Sequence, residues 1–109
     1  MSKYHSRKTV LDDITFDSKR EAARYRDLSL LLRAGEISDL RCQVKYTLIP
    51  SQKKPSGGTE RPITYTADFV YKDKDGHEVV EDAKGMRTQP YIMRRKMMLY
   101  VYGIEVKEV

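Results

Sequence analysis

At 109 residues, with 39% apolar and 34% charged residues, the chain is sized for one domain around a single hydrophobic core. No apolar run is long enough to span a bilayer, and the basic start from Met1 to Lys8 leads into no apolar stretch, so neither a membrane anchor nor a secretory signal is expected. A net charge of +5 and a pI near 9.3 point to an anionic partner, although scattered surface lysine produces the same excess.

Residues 1–17 read as a basic arm carrying Lys3, Arg7 and Lys8, then an irregular lead with a brief strand around Thr9 and Val10 or from Ile14 to Phe16. A helix is predicted from Ser18 to Ala34, with Gly35 just past its end. Ala22, Tyr25, Leu28, Leu31 and Leu32 keep helical spacing and predict its buried face. Ser18 and Glu21 have the spacing of a capping box, in which the glutamate reaches back to the cap's amide. Cys42 to Ile49 alternates as a strand, with Cys42 a small core residue beside Val44, Tyr46 and Leu48. One cysteine excludes an internal disulfide and a cysteine-built zinc site, and makes a cytosolic setting the default expectation. Residues 50–62, with Lys53 and Lys54, read as a flexible loop.

Two strands are predicted next, Ile63 to Tyr71 and His77 to Lys84, joined by a hairpin turn with an Asp75-Gly76 signal. A second helix starts near Pro90, capped by Thr88 or Gln89, and ends before Gly103. Ile92, Met98, Leu99 and Tyr102 are expected on its inner side, and Arg94, Arg95 and Lys96 outside. Ile104 to Val109 alternates as a closing strand. Helix, three strands, helix and strand together predict one α/β domain over residues 1–109. Its mixed β-sheet is flanked by helices, and its last strand runs parallel to an earlier one.

Asp68 and Asp82 break this pattern. Aspartate packs poorly on a pleated surface and competes for backbone hydrogen bonds, so two of them in neighbouring strands suggest a site. A three-residue turn sets Asp68 opposite Asp82, on the side of the sheet that Lys84 also faces, with Glu81 on the other side. A turn one residue longer or shorter sets Asp68 opposite Glu81 or Ala83 instead. In the first register two carboxylates and an ammonium converge, a constellation that holds a divalent metal and activates a water. Solvated hairpin charge is the competing reading, but Phe69, Val70, Val79 and Val80 imply that both faces of the hairpin are covered. His5 and His77 have no partner spacing and stay unassigned. The methionines read as core or interface filler.

Asp68, followed by Asp82, Ala83 and Lys84 in this element order, resembles the PD-(D/E)XK nuclease superfamily. The segments 14–22, 65–69 and 80–85 look like a phage and prophage family assigned to that superfamily. Ala67 stands where the superfamily's name has proline. The resemblance implies an αβββαβ restriction-endonuclease-like core and a Mg2+- or Mn2+-dependent DNA endonuclease. Asp68, Asp82, the Ala83 carbonyl and Glu21 would be metal ligands, and Asp68, Asp82, Lys84 and Glu21 the catalytic set. It also implies branched or junction DNA in phage recombination or genome processing, in the cytoplasm of a bacterial host, and a homodimer. Lys3, Arg7, Lys8, Arg87, Arg94, Arg95 and Lys96 cluster towards the two ends of the chain and are the candidate phosphate contacts. The alternatives are a non-catalytic nucleic-acid-binding module or a phage assembly or interaction protein of the same fold.

Overall fold

The structure, a computed structural model, describes the backbone of residues 9–11 and 14–109 and the side chains from Ile14 onward. The arm residues Lys3, Arg7 and Lys8 lie outside the described residues. The fold begins with a small antiparallel hairpin of β1 (Thr9–Leu11) and β2 (Ile14–Phe16), so both brief strands form. Helix α1 (Lys19–Arg33) follows, with Ser18 as its cap and Gly35 at a φ of 76° where the chain leaves it. Next come β3 (Ser38–Ile49), β4 (Gln52–Lys53), β5 (Thr59–Glu60), β6 (Ile63–Lys72) and β7 (Glu78–Asp82), then α2 (Gln89–Tyr102) and β8 (Lys107–Glu108). The main sheet has the order β3-β6-β7-β8. Its first two pairings are antiparallel, and β8 pairs parallel to β7 after the α2 crossover. The protein is therefore an α/β domain with a mixed sheet and two helices.

Several expectations are corrected. The segment expected as a flexible loop, 50–62, holds the β4–β5 hairpin, closed by Lys54 and Gly58. The closing strand is two residues, because only Lys107 and Glu108 lie beside β7. Leu31 and Leu32 of α1 are exposed, as is Leu99 of α2 at 56%. Leu30, Leu31 and Leu32 are all exposed although Leu31 and Leu32 share the face of the buried Leu28, so helical spacing alone does not bury the last turn of α1. Helix α1 instead buries Glu21, Ala22 and Leu28, and α2 buries Tyr91 and Met98.

The sheet carries one core on each side. Phe16, Ala22, Leu28, Phe69 and Tyr71 pack on the α1 side, while Leu48, Tyr65, Val80, Tyr91 and Met98 pack on the α2 side. Alternate residues of a strand should keep to one side. In β3, however, Leu40 and Cys42 join the α1 core, whereas Val44, Tyr46 and Leu48 join the α2 core. In β6 the switch is matched, with Ile63, Tyr65 and Ala67 on the α2 side and Phe69 and Tyr71 on the α1 side. The register is the same on either side, Cys42 with Phe69 and Val44 with Ala67, and the ladder skips the position between them. Both strands thus exchange faces at the unpaired position between them, where Gln43 lies across from Asp68. Gln43 absorbs the twist at a φ of 54°, in the left-handed region that non-glycine residues avoid.

Candidate active site

The β6–β7 register decides what Asp68 meets. The ladder runs from Lys72 with Glu78 to Phe69 with Glu81, and the same register carried one residue further sets Asp68 across from Asp82. The turn that produces this is a three-residue loop between Asp73 and His77. Gly76 sits at a φ of 83°, and the Asp73 amide donates to the His77 carbonyl. Asp73 Oδ1 accepts from the Asp75 and His77 amides at 2.9 Å each, which locks the turn. Asp73, Asp75 and His77 bring ligand atoms within 4.8 Å of one another, the one such trio among the described residues. Turn formation accounts for that cluster.

Asp82 is 1% exposed and comes from the last residue of β7. Its backbone is pinned by β8, where the Val109 amide donates to the Asp82 carbonyl at 3.0 Å. Tyr65 donates its hydroxyl to Asp82 Oδ2 at 2.5 Å. Asp82 Oδ1 is the one buried side-chain polar atom among the described residues with no hydrogen-bond partner. Lys84 Nζ lies 3.3 Å from it as an ion-pair partner, without hydrogen-bond alignment. The ammonium is also 4.6 Å from the centre of the Tyr91 ring, and the side chain is 32% exposed, so Lys84 is held yet reachable.

Asp68 Oδ2 accepts from the Ala83 amide at 2.8 Å, and Oδ1 accepts from Gln43 Nε2 at 3.3 Å. Burial, followed by the neighbouring Asp82, pushes the Asp68 carboxyl up to about 7. The Ala83 amide opposes that shift and Glu21 adds to it. Glu21 is 6% exposed, and its Oε1 accepts from Gln43 Nε2 at 2.9 Å. Its carboxyl is raised by burial and then by Asp17. The cap is half of the expected box: Ser18 Oγ accepts from the Glu21 amide at 3.1 Å, while the glutamate side chain turns towards the sheet.

Glu81 faces the α1 side and is fully buried. Arg24 binds it with both arms of its fork, Nε at 2.7 Å and Nη2 at 2.6 Å, and Tyr71 donates its hydroxyl to the same carboxylate. Lys107 lies 3.9 Å away. Burial pushes the Glu81 carboxyl up, but the Arg24 and Tyr71 bonds outweigh it and hold it below the usual range. With Arg24 and Tyr71 satisfying it, Glu81 is an anchor for β7 on the side opposite Asp82.

The basic residues near the chain's end are mostly engaged within the fold. Arg87 and Arg95 both bind Glu108, at 2.7 and 3.0 Å, and Tyr91 donates to the same carboxylate at 2.7 Å. The Tyr91 hydroxyl first, then Arg87 and Arg95, hold Glu108 down at about 2. Arg94 Nε donates to the Thr64 carbonyl at 2.9 Å, tying α2 to β6. Lys96 is exposed.

The structure brings Asp68, Asp82, Ala83 and Lys84 together at the end of β7 and sets Glu21 of α1 beside Asp68 through Gln43. The carboxylates of Glu21, Asp68 and Asp82 do not all come within 4.8 Å of one another. A family model described as a protein of unknown function, DUF1064, matches residues 1–108. The chain belongs to this family. No curated protein and no solved structure matches it. The DUF1064 description carries no chemistry, so the site is read from its atoms. Hard carboxylate and carbonyl oxygens suit Mg2+, Mn2+ or Ca2+ rather than zinc. A buried carboxylate oxygen with no aligned hydrogen bond and only the Lys84 ammonium near it, beside a second acid raised by burial and then by Asp82, is what a cation would relieve. By donor chemistry Asp68, Asp82 and the Ala83 carbonyl fit a divalent metal, and Glu21 stands outside that immediate group. Sequence reasoning missed Gln43, Tyr65, Arg24 and the Tyr91–Glu108 pair. Only Tyr65 carried a signal, since a tyrosine on the inner side of a strand needs a partner for its hydroxyl.

Proposed function

We propose that this protein is a metal-dependent DNA endonuclease of the PD-(D/E)XK type, acting on branched or junction DNA in phage recombination or genome processing. The observation that carries the reading is the buried Asp82 Oδ1, without an aligned hydrogen bond, one residue beyond the last β6–β7 pair and 3.3 Å from the Lys84 ammonium. Asp68, Asp82 and the Ala83 carbonyl would hold a Mg2+ or Mn2+, with Glu21 close behind Asp68. When bound, such a cation supplies charge neutralisation at a phosphate and a lowered pKa for a coordinated water. Asp68 is oriented by the Ala83 amide, and Asp82 by the Tyr65 hydroxyl, so both carboxylates are fixed before any ligand arrives. Lys84, steadied by Asp82 and the Tyr91 ring, presents its ammonium to the attacking water or to the phosphate charge that develops.

Phosphate binding falls to the exposed Lys96 and to the arm residues Lys3, Arg7 and Lys8. Arg87, Arg94 and Arg95 contribute only as far as their internal bonds allow. A homodimer in the host cytoplasm completes the reading, supported by the outward Leu30, Leu99 and Tyr100, the last 90% exposed. No helix of the described residues is long and apolar enough to cross a membrane.

The test is cleavage of supercoiled, linear, single-stranded and four-way-junction DNA by the purified protein with Mg2+, Mn2+ or EDTA. Cleavage with either cation and none with EDTA is expected, with the junction cut fastest. DNA binding without cleavage under all three conditions would leave the non-catalytic module instead. Glu81→Gln should lower cleavage less than Asp82→Asn does, because Glu81 lies on the other side of the sheet, bound to Arg24. The opposite ranking would move the metal to the α1 side.

A further inference from the structure

We infer that Gln43 is a positioning residue of the acidic site, whose side-chain amide recruits Glu21 from helix α1 into the carboxylate set. This rests on the metal-site reading above and extends it to a residue that the sequence pattern leaves on a strand's outer side. Gln43 Nε2 donates to Glu21 Oε1 at 2.9 Å and to Asp68 Oδ1 at 3.3 Å. A primary amide has two N–H donors, so it serves both acids at once. Both partners are acceptors, which also fixes which end of the amide faces them.

The backbone at this position points the same way. Gln43 holds a φ of 54° in the middle of a twelve-residue strand, where glycine would be unstrained. It sits between two intact pairings, Cys42 with Phe69 and Val44 with Ala67, and therefore directly opposite Asp68. A solvent-facing residue with no role gains nothing from that conformation. The face exchange of β3 and β6 at this pair turns the amide towards α1, where Glu21 is waiting.

The chemistry of an amide suits the place. Lysine or arginine here would neutralise the acids and compete with a cation, and serine is too short to span two elements. A neutral double donor lowers the repulsion between Glu21 and Asp68 without cancelling their charge. It also explains why Glu21 does not complete the capping box: the described hydrogen bonds include none from the Ser18 amide to its carboxylate, which is bound to Gln43.

The test is Mn2+ titration of the full chain by calorimetry, with no DNA present. Gln43→Met keeps the length and loses the amide; Gln43→Gly also loses the amide but suits the positive φ. Both should bind Mn2+ about tenfold more weakly or worse, the usual cost of losing a group that orients metal ligands. The glycine variant should melt no lower than the methionine variant, so affinity and melting temperature part company. Should Gln43→Met fail to fold, Gln43→Gly carries the test alone. Glu21→Gln should cost affinity in the wild-type background and little more in Gln43→Met, because the amide acts through Glu21. Mn2+ affinity within twofold of wild type in the Gln43 variants overturns the role of Gln43 alone. Absence of saturable Mn2+ binding by the wild-type protein overturns this inference together with the metal site.

Discussion

Asp68→Asn is expected to abolish cleavage and, without divalent cations, to make the protein more stable. The cleavage loss should be about a thousandfold or more, the scale on which removal of an essential charged group acts. The stability gain follows from linkage. Unfolded, Asp68 titrates near its ordinary value of 3.8; folded, burial and Asp82 raise it to about 7. Between those values the folded chain retains a proton that the unfolded chain has lost. Stability must therefore fall as pH rises from about 4 to about 7, and the full penalty applies above that.

Asparagine carries no charge at any of these pH values, and its side-chain oxygen can still accept from the Ala83 amide. Its advantage should be near zero at pH 4 and on the order of 2–4 kcal/mol at pH 8, from a shift of about three units at 1.36 kcal/mol each, reduced for partial solvent access. Urea unfolding in EDTA across this range measures it. Millimolar Mn2+ should then stabilise the wild type and leave the variant unmoved, since only the native site binds the ion. An asparagine variant less stable than wild type at pH 8 in EDTA would mean that Asp68 is a structural acid, and the site would lose its basis.

Arg24→Met is expected to be the most damaging single change away from the acidic site. It strips the two-armed partner from Glu81, which is 0% exposed. Breaking one side of such a buried pair costs about 3–5 kcal/mol, a large share of the 5–15 kcal/mol that holds a domain of this kind together. The loss should appear as a lower urea midpoint with an unchanged slope. Glu81→Leu added to Arg24→Met should recover much of it, because the uncompensated charge is then gone. In the single variant the carboxyl of Glu81, now held below the usual range, should rise. Its contribution at neutral pH, present above its unfolded value and lost as pH falls through the folded one, would disappear. A melting temperature within two degrees of wild type would show that Tyr71 and Lys107 suffice for Glu81.

Helix α1 and helix α2 were legible almost to the residue. Ser18, Gly35, Thr88 and Gly103 each mark a terminus for a local reason: a side-chain oxygen for the first free amides, or a positive φ for the last turn. The placing of Asp68 across from Asp82 was legible conditionally, because the Asp75-Gly76 turn determines it once a three-residue loop is assumed. The loop of residues 50–62 was misread because Pro50, Pro55 and Gly58 mark a turn without revealing that Gln52 would pair with Glu60, and Lys53 with Thr59, across it.

Local chemistry and periodicity thus determined the α/β class, the termini of the two helices and the carriers of the two strand acids. Which charges meet was decided only by the tertiary structure. Glu21 looked like a cap from its spacing to Ser18, yet a distant Gln43 holds its carboxylate. Arg87 and Arg95 looked like free phosphate contacts, yet Glu108 from the closing strand lies between them. Each of these outcomes depends on a partner at least 13 positions away along the chain. Sequence spacing reports neighbours on one element, whereas ion pairs and buried acids are settled by how elements pack and by the demand that buried charge find a partner.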